Sequence, residues 1–325
     1  MKIWKYSRLD CALFIIFIGH FVTIFGLAAH WNDFSFFGWL INFIVLTCLI
    51  WYNIIVLSHQ FTHTPWFRAP WANRVVSIIN SVNIGQSMED YHLRHVRNHH
   101  RYHNDRKMRD QLPSDWASTF RDGKDGEHAS LLQYTLIGAF PILFKLLQEL
   151  VPVNNLWRVG KHETDLLPLL SRQAKKRADQ LRQMQVERIA RFLAVCVLLT
   201  ISWQWTLLVY FPVLYVSLVL FNLQNYYEHM GAIPESTYAN SVSHYGRIYN
   251  LLTCNDGYHQ EHHLRPQTHW RQLPRVRHIN GGKLDQTERI ISPVPAIAGF
   301  LHRNRPQLHR NLPNLDDLSS KSIKG

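Results

Sequence analysis

Five histidines fall within twelve positions of the stretch D-Y-H-L-R-H-V-R-N-H-H-R-Y-H-N-D, residues 90–105, among arginines and tyrosines. Histidine is the commonest metal-binding side chain, because a neutral imidazole turns one nitrogen to a metal and the other to an orienting partner. If this stretch is helical, His95 and His99 stand one turn apart on one face, with His100 beside them. Two more boxes have similar spacing: H-Q-F-T-H at His59–His63 and H-Q-E-H-H at His259–His263. A further histidine, His229, lies in N-Y-Y-E-H-M-G, residues 225–231. The chemistry suggested is that of a metal held by nitrogen, for which iron, copper, nickel and zinc are all suited.

Competing chemistries lack their residues. A zinc metalloprotease wants H-E-x-x-H, with the Glu as general base, and the first box carries Gln60 there. The carboxylate-rich motif set of soluble di-iron bundles is not present. Four scattered cysteines, Cys11, Cys48, Cys196 and Cys254, make no C-x-x-C pair, so neither a disulfide framework nor a thiolate metal site is indicated. The net charge of +12 suits an anionic membrane surface, an acidic protein partner or nucleic acid. No nucleic-acid-binding motif accompanies it, so no nucleic acid is expected.

The elements that must position these boxes are blocked apolar runs. Although 46% of residues are hydrophobic, mean hydropathy is only −0.17, because the apolar residues are clustered between large polar segments. Cys11–Ala29 and Phe36–Leu57 are each about long enough to cross a bilayer, which takes roughly 20 residues. The start M-K-I-W-K-Y-S-R resembles a signal peptide in charge and apolar content, but is read as leading into a retained helix. Phe192–Leu223 is too long for one span and is read as a second hairpin, roughly 189–202 and 206–225, turning at S-W-Q-W. Neither outer turn carries Lys or Arg, whereas the first eight residues carry three. By the positive-inside rule both termini and the polar segments are cytoplasmic.

Between the hairpins, Val75–Gly85 is too short to span and reads as an interfacial or core helix. Residues 104–128 read as loop. Leu131–Val151 is either a span or a re-entrant or interfacial helical pair. The basic stretch 161–191, with a narrow apolar stripe at Ala174, Ala178, Leu181 and Met184, is a solvated cytoplasmic helix or one lying on anionic headgroups. The fold class expected is an all-α membrane protein of about four spans. Residues 1–300 form a single domain with a cytoplasmic helical cap (58–188 and 226–300), and 301–325 form a flexible tail.

This topology brings the boxes together. Both hairpins return to one side, each returning helix ends in histidine, and the other boxes lie on that side. His59, His63, His95, His99, His100, His229, His259, His262 and His263 are therefore expected to converge just outside the bilayer. Nine imidazoles are too many for one metal, since zinc sites usually close with four ligands. Two metals with four or five nitrogens each, and an open position for a small molecule, fit the number. A metal transporter would place its ligands inside the spans, whereas these lie at span ends.

The ordered set H-x-x-x-H, H-x-x-x-H-H, N-Y-x-E-H-x-G and H-x-x-H-H, over about residues 45–275, resembles the integral-membrane fatty acid desaturase and hydroxylase superfamily. N-Y-Y-E-H-M-G is most similar to the alkane hydroxylase branch, while D-G-Y-H-Q-E-H-H-L-R-P looks more like desaturases. The resemblance implies a histidine-bound di-iron centre, O2 as co-substrate, a fatty acid or fatty acyl substrate and a separate electron donor of ferredoxin, rubredoxin or cytochrome type. The product is then an alkene by desaturation, an alcohol by hydroxylation, or a terminal alkene by oxidative decarboxylation.

Around the ligands, His92, His103, Asp105, Glu228, Asp256 and Glu261 are candidates to orient imidazoles. Arg68, Arg94, Arg97 and Arg265 are candidates to grip a substrate carboxylate or headgroup, or simply lipid phosphates. His20, His30, His128, His162, His244, His269, His278, His302 and His309 are read as structural or surface residues.

Overall fold

The computed structural model describes residues 3–106, 112–124, 126–150, 166–285 and 290–302. Among them the chain is helical, with isolated bridges at Trp4–Phe67 and Ser243–Ile291 and no strand. The first apolar run forms α1, Asp10–Ala29. Asp10 opens it, where a carboxylate complements the helix dipole, and accepts from the Ser7 N–H at 3.2 Å. Leu13, Phe17, His20, Ile24 and Ala28 are buried at helical spacing, yet Ile15 and Val22 on the outward face are apolar and exposed. A helix apolar on both faces wants lipid outside.

Ser35 caps α2, Phe36–His63, by accepting from the Gly38 N–H at 3.3 Å. In the turn before it Trp31 stacks on Trp39 at 4.7 Å, the aromatic pairing of a membrane–water interface. A helix of 28 residues is about 42 Å long, against a hydrocarbon layer of about 30 Å. A bilayer fitted to its apolar part leaves the last turns, with His59 and His63, outside. Next comes α3, Pro70–Ile84, which starts earlier than its apolar run because Pro70 suits the first helical turn. It stops at Gly85, whose φ of +67° is the left-handed C-cap that favours glycine.

The central box lies on α4, residues 88–102, capped by Ser87, whose Oγ accepts from the Asp90 N–H at 3.1 Å. Beyond a loop, Gln133–Ile137 leads into α5, Gly138–Gln148. Among the described residues three helices are long and apolar enough to cross a membrane, and this stretch is not one of them. Leu132, Leu136, Phe140 and Phe144 form an outward apolar stripe, which suits the interfacial or re-entrant alternative; Val151 lies outside the described residues.

From Ala174 on, the basic stretch and the third apolar run are one helix, α6, Ala174–Ile201; residues 161–165 lie outside the described residues. Met184 and Leu181 pack with Leu93, Leu166 and Leu170, while Ala174 and Ala178 are exposed beside Lys175, Lys176 and Arg177. The expected span 189–202 is the C-terminal part of this helix, which is not one of the three long apolar helices. Its apolar end follows Glu187, Arg188 and Arg191, which protein buries; Arg191 Nη1 meets Glu149 Oε2 at 2.6 Å. The outer turn shrinks to Ser202, whose Oγ accepts from the Trp205 N–H and starts α7, Trp203–His229. Three short helices follow: α8, Arg247–Leu252, α9, His259–Leu264, and α10, Leu273–Leu284. The tail 303–325 and His162 lie outside the described residues.

The core forms where α1, α2, α3 and α7 meet, and polar links fix their register. Asn53 on α2 reaches His20 on α1 at 3.0 Å, Ser58 donates to Asn53 at 2.9 Å, and Asn80 on α3 donates to Ser58 at 2.8 Å. Polar side chains that satisfy one another between apolar helices hold them in one alignment. This network lies directly before His59.

Candidate metal centre

All nine box histidines come together, in two groups. His59, His63, His95, His100 and His262 form one; His99, His229, His259 and His263 form the other. Within each, one nitrogen per residue lies within 4.8 Å of the rest. In the first group His59 Nε2 is 2.9 Å from His262 Nε2, which is 3.0 Å from His100 Nε2, itself 3.1 Å from His95 Nε2.

The partition follows from the backbone. Residues five apart point about 140° apart on an α-helix, but share a face where hydrogen bonds run i to i+5. Leu93–His99 is such a π-helical segment, so His95 and His100 meet in the first group while His99 turns to the second. Another π-helical segment, Asn53–Ser58, immediately precedes His59. On α9, His262 joins the first group while His259 and His263 join the second. Thus α4 and α9 bridge the groups, α2 serves only the first and α7 only the second.

The outer nitrogens are oriented. His99 Nδ1 is 2.8 Å from Asp115 Oδ2, which also accepts from the Asn104 N–H at 2.7 Å. Burial pushes the Asp115 carboxyl up, but the His99 charge and hydrogen bond, with the Ala117 and Asn104 N–H groups, outweigh it and hold it at about 2. His229 Nδ1 is 3.1 Å from the Asn240 carbonyl. His59 Nδ1 lies 3.3 Å from the Ile55 carbonyl and 3.5 Å from Asp256 Oδ1. His259 Nε2 lies 3.6 Å from Glu228 Oε2, beyond hydrogen-bond reach.

These residues fit a metal. Among the described residues, Nε2 of His99, His229 and His263 and both ring nitrogens of His63 and His259 are buried with no hydrogen-bond partner. Buried polar atoms are normally paired, and an imidazole bonded on one side and unpaired on the other is arranged as a ligand. Burial, reinforced by neighbouring imidazoles, holds His95, His100, His259, His262 and His263 well below the usual histidine range. They are therefore neutral, as metal binding requires.

The flanking candidates are placed differently. His92 Nδ1 lies 3.2 Å from Thr62 Oγ1 and joins neither group. His103, in left-handed backbone at φ +51°, brings Nδ1 within 3.1 Å of His263 Nδ1. Among the described residues Asp105 reaches no imidazole; it accepts the Ser114 and Asp115 N–H groups, each at 2.8 Å, and so orients the residue that orients His99. Glu261 turns away from the imidazoles to Ser243 Oγ at 3.1 Å and the Tyr245 hydroxyl at 2.7 Å.

Arg94 is engaged with Asp90 at 2.7 Å and the Trp116 ring at 4.7 Å. Arg68, Arg97 and Arg265 are exposed. Sequence reasoning missed Asp115 and the Asn240 carbonyl. Asp115 is separated from His99 by a loop, where no helical spacing marks it, and a backbone carbonyl leaves no mark at all.

A sequence model of the fatty acid desaturase family matches residues 34–293. The sphingolipid delta(4)-desaturase of Candida albicans (strain SC5314 / ATCC MYA-2876) is 24% identical over 271 residues, covering 76% of this chain. The match spans 64% of that relative's length. No solved structure matches. The family match takes in all nine histidines and runs from the start of α2 past α10, so the whole site lies within it: the chain belongs to the fatty acid desaturase family.

Proposed function

We propose that this chain is an integral-membrane, O2-dependent oxidoreductase that holds two iron ions and desaturates a fatty acid or fatty acyl chain. The observation that carries this reading is the partition of nine imidazoles into groups of five and four in a chain of the desaturase family. The five-membered group binds one iron and the four-membered group the other. Iron held there supplies O2 activation and one-electron chemistry.

The chain's own residues do the rest. The histidines bind in their neutral form. Asp115 and the Asn240 carbonyl fix the rings of His99 and His229. Buried Ile54, Val56, Leu57 and Leu93 keep bulk water from the site. The acyl chain lies among the apolar helices, and exposed Arg68, Arg97 and Arg265 take its acidic end or headgroup. The relative's name, a sphingolipid desaturase, supports an acyl chain carried on a lipid. The single catalytic domain is 1–300, with the site and both termini on the cytoplasmic face and the end of α6 as a fourth, shorter crossing.

Reducing O2 to two waters takes four electrons and four protons. Loss of two hydrogens from the acyl chain gives two of each, and a separate donor with solvent protons gives the remainder. Mass spectrometry of lipids, hydrocarbons and headspace from cells expressing the chain with a competent donor tests the reading. A product two hydrogens lighter is expected. One oxygen heavier would replace desaturation with hydroxylation, toward which N-Y-Y-E-H-M-G leans, and a terminal alkene one carbon shorter would replace it with decarboxylation. Zinc instead of coupled iron in the purified protein would overturn the oxidative reading altogether.

A further inference from the structure

The short helix α8 has its polarity reversed. Ile248, Leu251 and Leu252 point outward, 77%, 81% and 62% exposed. Its inward residues are polar and bonded: Asn250 donates to the His244 carbonyl at 2.8 Å, the Tyr249 hydroxyl to Asp256 at 2.9 Å, and Thr253 Oγ1 to the Tyr249 carbonyl at 2.8 Å. A helix on a water-facing surface shows the opposite pattern.

The fastenings of α8 say what lies against it. The Tyr52 hydroxyl, on α2 before the histidine-bearing turns, donates to the Leu252 carbonyl at 2.7 Å. Asn255 donates to the Trp270 carbonyl at 3.0 Å, and Trp270 Nε1 donates to Asp10, the first residue of α1, at 3.1 Å. The helix is thus tied to the same end of both long apolar helices. Tyr52 stands one turn beyond Cys48 on the face of α2 that exposes Ile41, Ile44, Val45 and Cys48, so its bond to Leu252 seats α8 at the end of that apolar face. Arg247, also exposed, stands at its start, where a phosphate layer would meet it.

We propose that α8 is an interfacial helix, with Ile248, Leu251 and Leu252 seated among the acyl chains of the bilayer and Arg247 at the phosphates. The occupant is lipid because α8 is fastened at the end of the exposed apolar face of a long apolar helix. An isolated patch would suit a protein partner. Tyr249, on the inward side, lines the cleft beside His259 with Gln224, Glu228 and Asp256. The membrane therefore braces one wall of the candidate metal centre. The inference rests on α2 being a span.

The test places benzoylphenylalanine by codon suppression at Leu251, at Ile248 as a second position, at Val45 on α2 and at exposed loop residue Asp122. The full chain is reconstituted in phosphatidylcholine–phosphatidylglycerol vesicles, irradiated and digested for mass spectrometry. Phospholipid adducts are expected at Leu251 and Ile248 at the level of Val45, and none at Asp122. Adducts at Val45 with none at Leu251 or Ile248 would overturn the inference alone, as would cross-links from those two positions to another protein chain. No adduct at Val45 would overturn it together with the membrane reading of α2.

Discussion

His95, His99 and His100 share one short helix yet serve two groups, so single substitutions test the register of the whole site. Alanine at any of the nine histidines is expected to remove iron and activity together. His92→Ala, which loses a bond to Thr62, should cost less; the check is iron content of each purified variant, and loss of iron in His92→Ala but not His95→Ala would refute the register. Asp115→Asn keeps the shape but removes the charge facing His99 Nδ1. A lost outer-shell partner typically costs about 10–100-fold in metal affinity, to be read as retained iron against graded chelator. Acid sensitivity follows from the depressed histidines. Their folded values lie well below 6.5, so under that pH the unfolded chain binds more protons and stability falls as pH falls. Each such histidine contributes about 1.4 kcal/mol per pH unit. The Asp115 contribution has the same sign but is lost only as pH drops through 3.8 toward about 2. The unfolding midpoint of metal-stripped protein in detergent should therefore be level above about pH 7 and fall below about 6.5; a midpoint level down to pH 4 would contradict it.

Helices are where the sequence was most and least legible. The apolar runs at 11–29 and 36–57 announce α1 and α2 through composition alone, and the spacing of His259, His262 and His263 announces α9. The π-helical segments at Asn53–Ser58 and Leu93–His99 have no signature in residue type, because they depend on where packing forces an extra residue into a turn. They decide which histidine joins which group, so convergence was readable and partition was not. That the basic stretch and the run 189–202 form one continuous helix, α6, was not legible, because buried Glu187, Arg188 and Arg191 look like solvent-exposed charge until α5 and the turn around Ser87 are seen against them. Glu187 alone accepts from Ser77, Ser87, Gln183 and the Glu89 N–H. The orientation of these helices rests on the outer turns. Reporter fusions at Asp33 and Gln204 should both read as external; a cytoplasmic signal at Gln204 with an external one at Asp33 would mean that α6 and α7 do not form a hairpin across the membrane.

The proposed reaction leaves one requirement unmet by the molecule's own residues, a source of electrons. The full sequence has no cysteine cluster, haem-attachment motif or G-x-G-x-x-G fingerprint, and its four cysteines lie apart on different elements. Its net charge of +12 was readable from the start, but only the fold shows where the charge sits. Lys175, Lys176, Arg177 and Arg182 line the exposed side of α6, and Arg97, Arg101 and Arg265 stand exposed beside the histidine boxes. On the proposed function, such a surface would draw in an acidic reductant by long-range attraction, which raises the association rate and weakens as salt screens it. The purified chain with NAD(P)H alone should therefore show no turnover, and adding a reduced ferredoxin, rubredoxin or cytochrome should start it. The donor-dependent rate at limiting donor should fall as ionic strength rises across about 0.01–0.15 M, where the screening length shortens from about 30 to 8 Å. Charge reversal at Lys175 and Arg177 on α6, which are given no part in holding substrate, should flatten that dependence without changing the bound iron. Turnover on NAD(P)H alone would refute the need for a donor, and a rate indifferent to salt would refute steering by this surface.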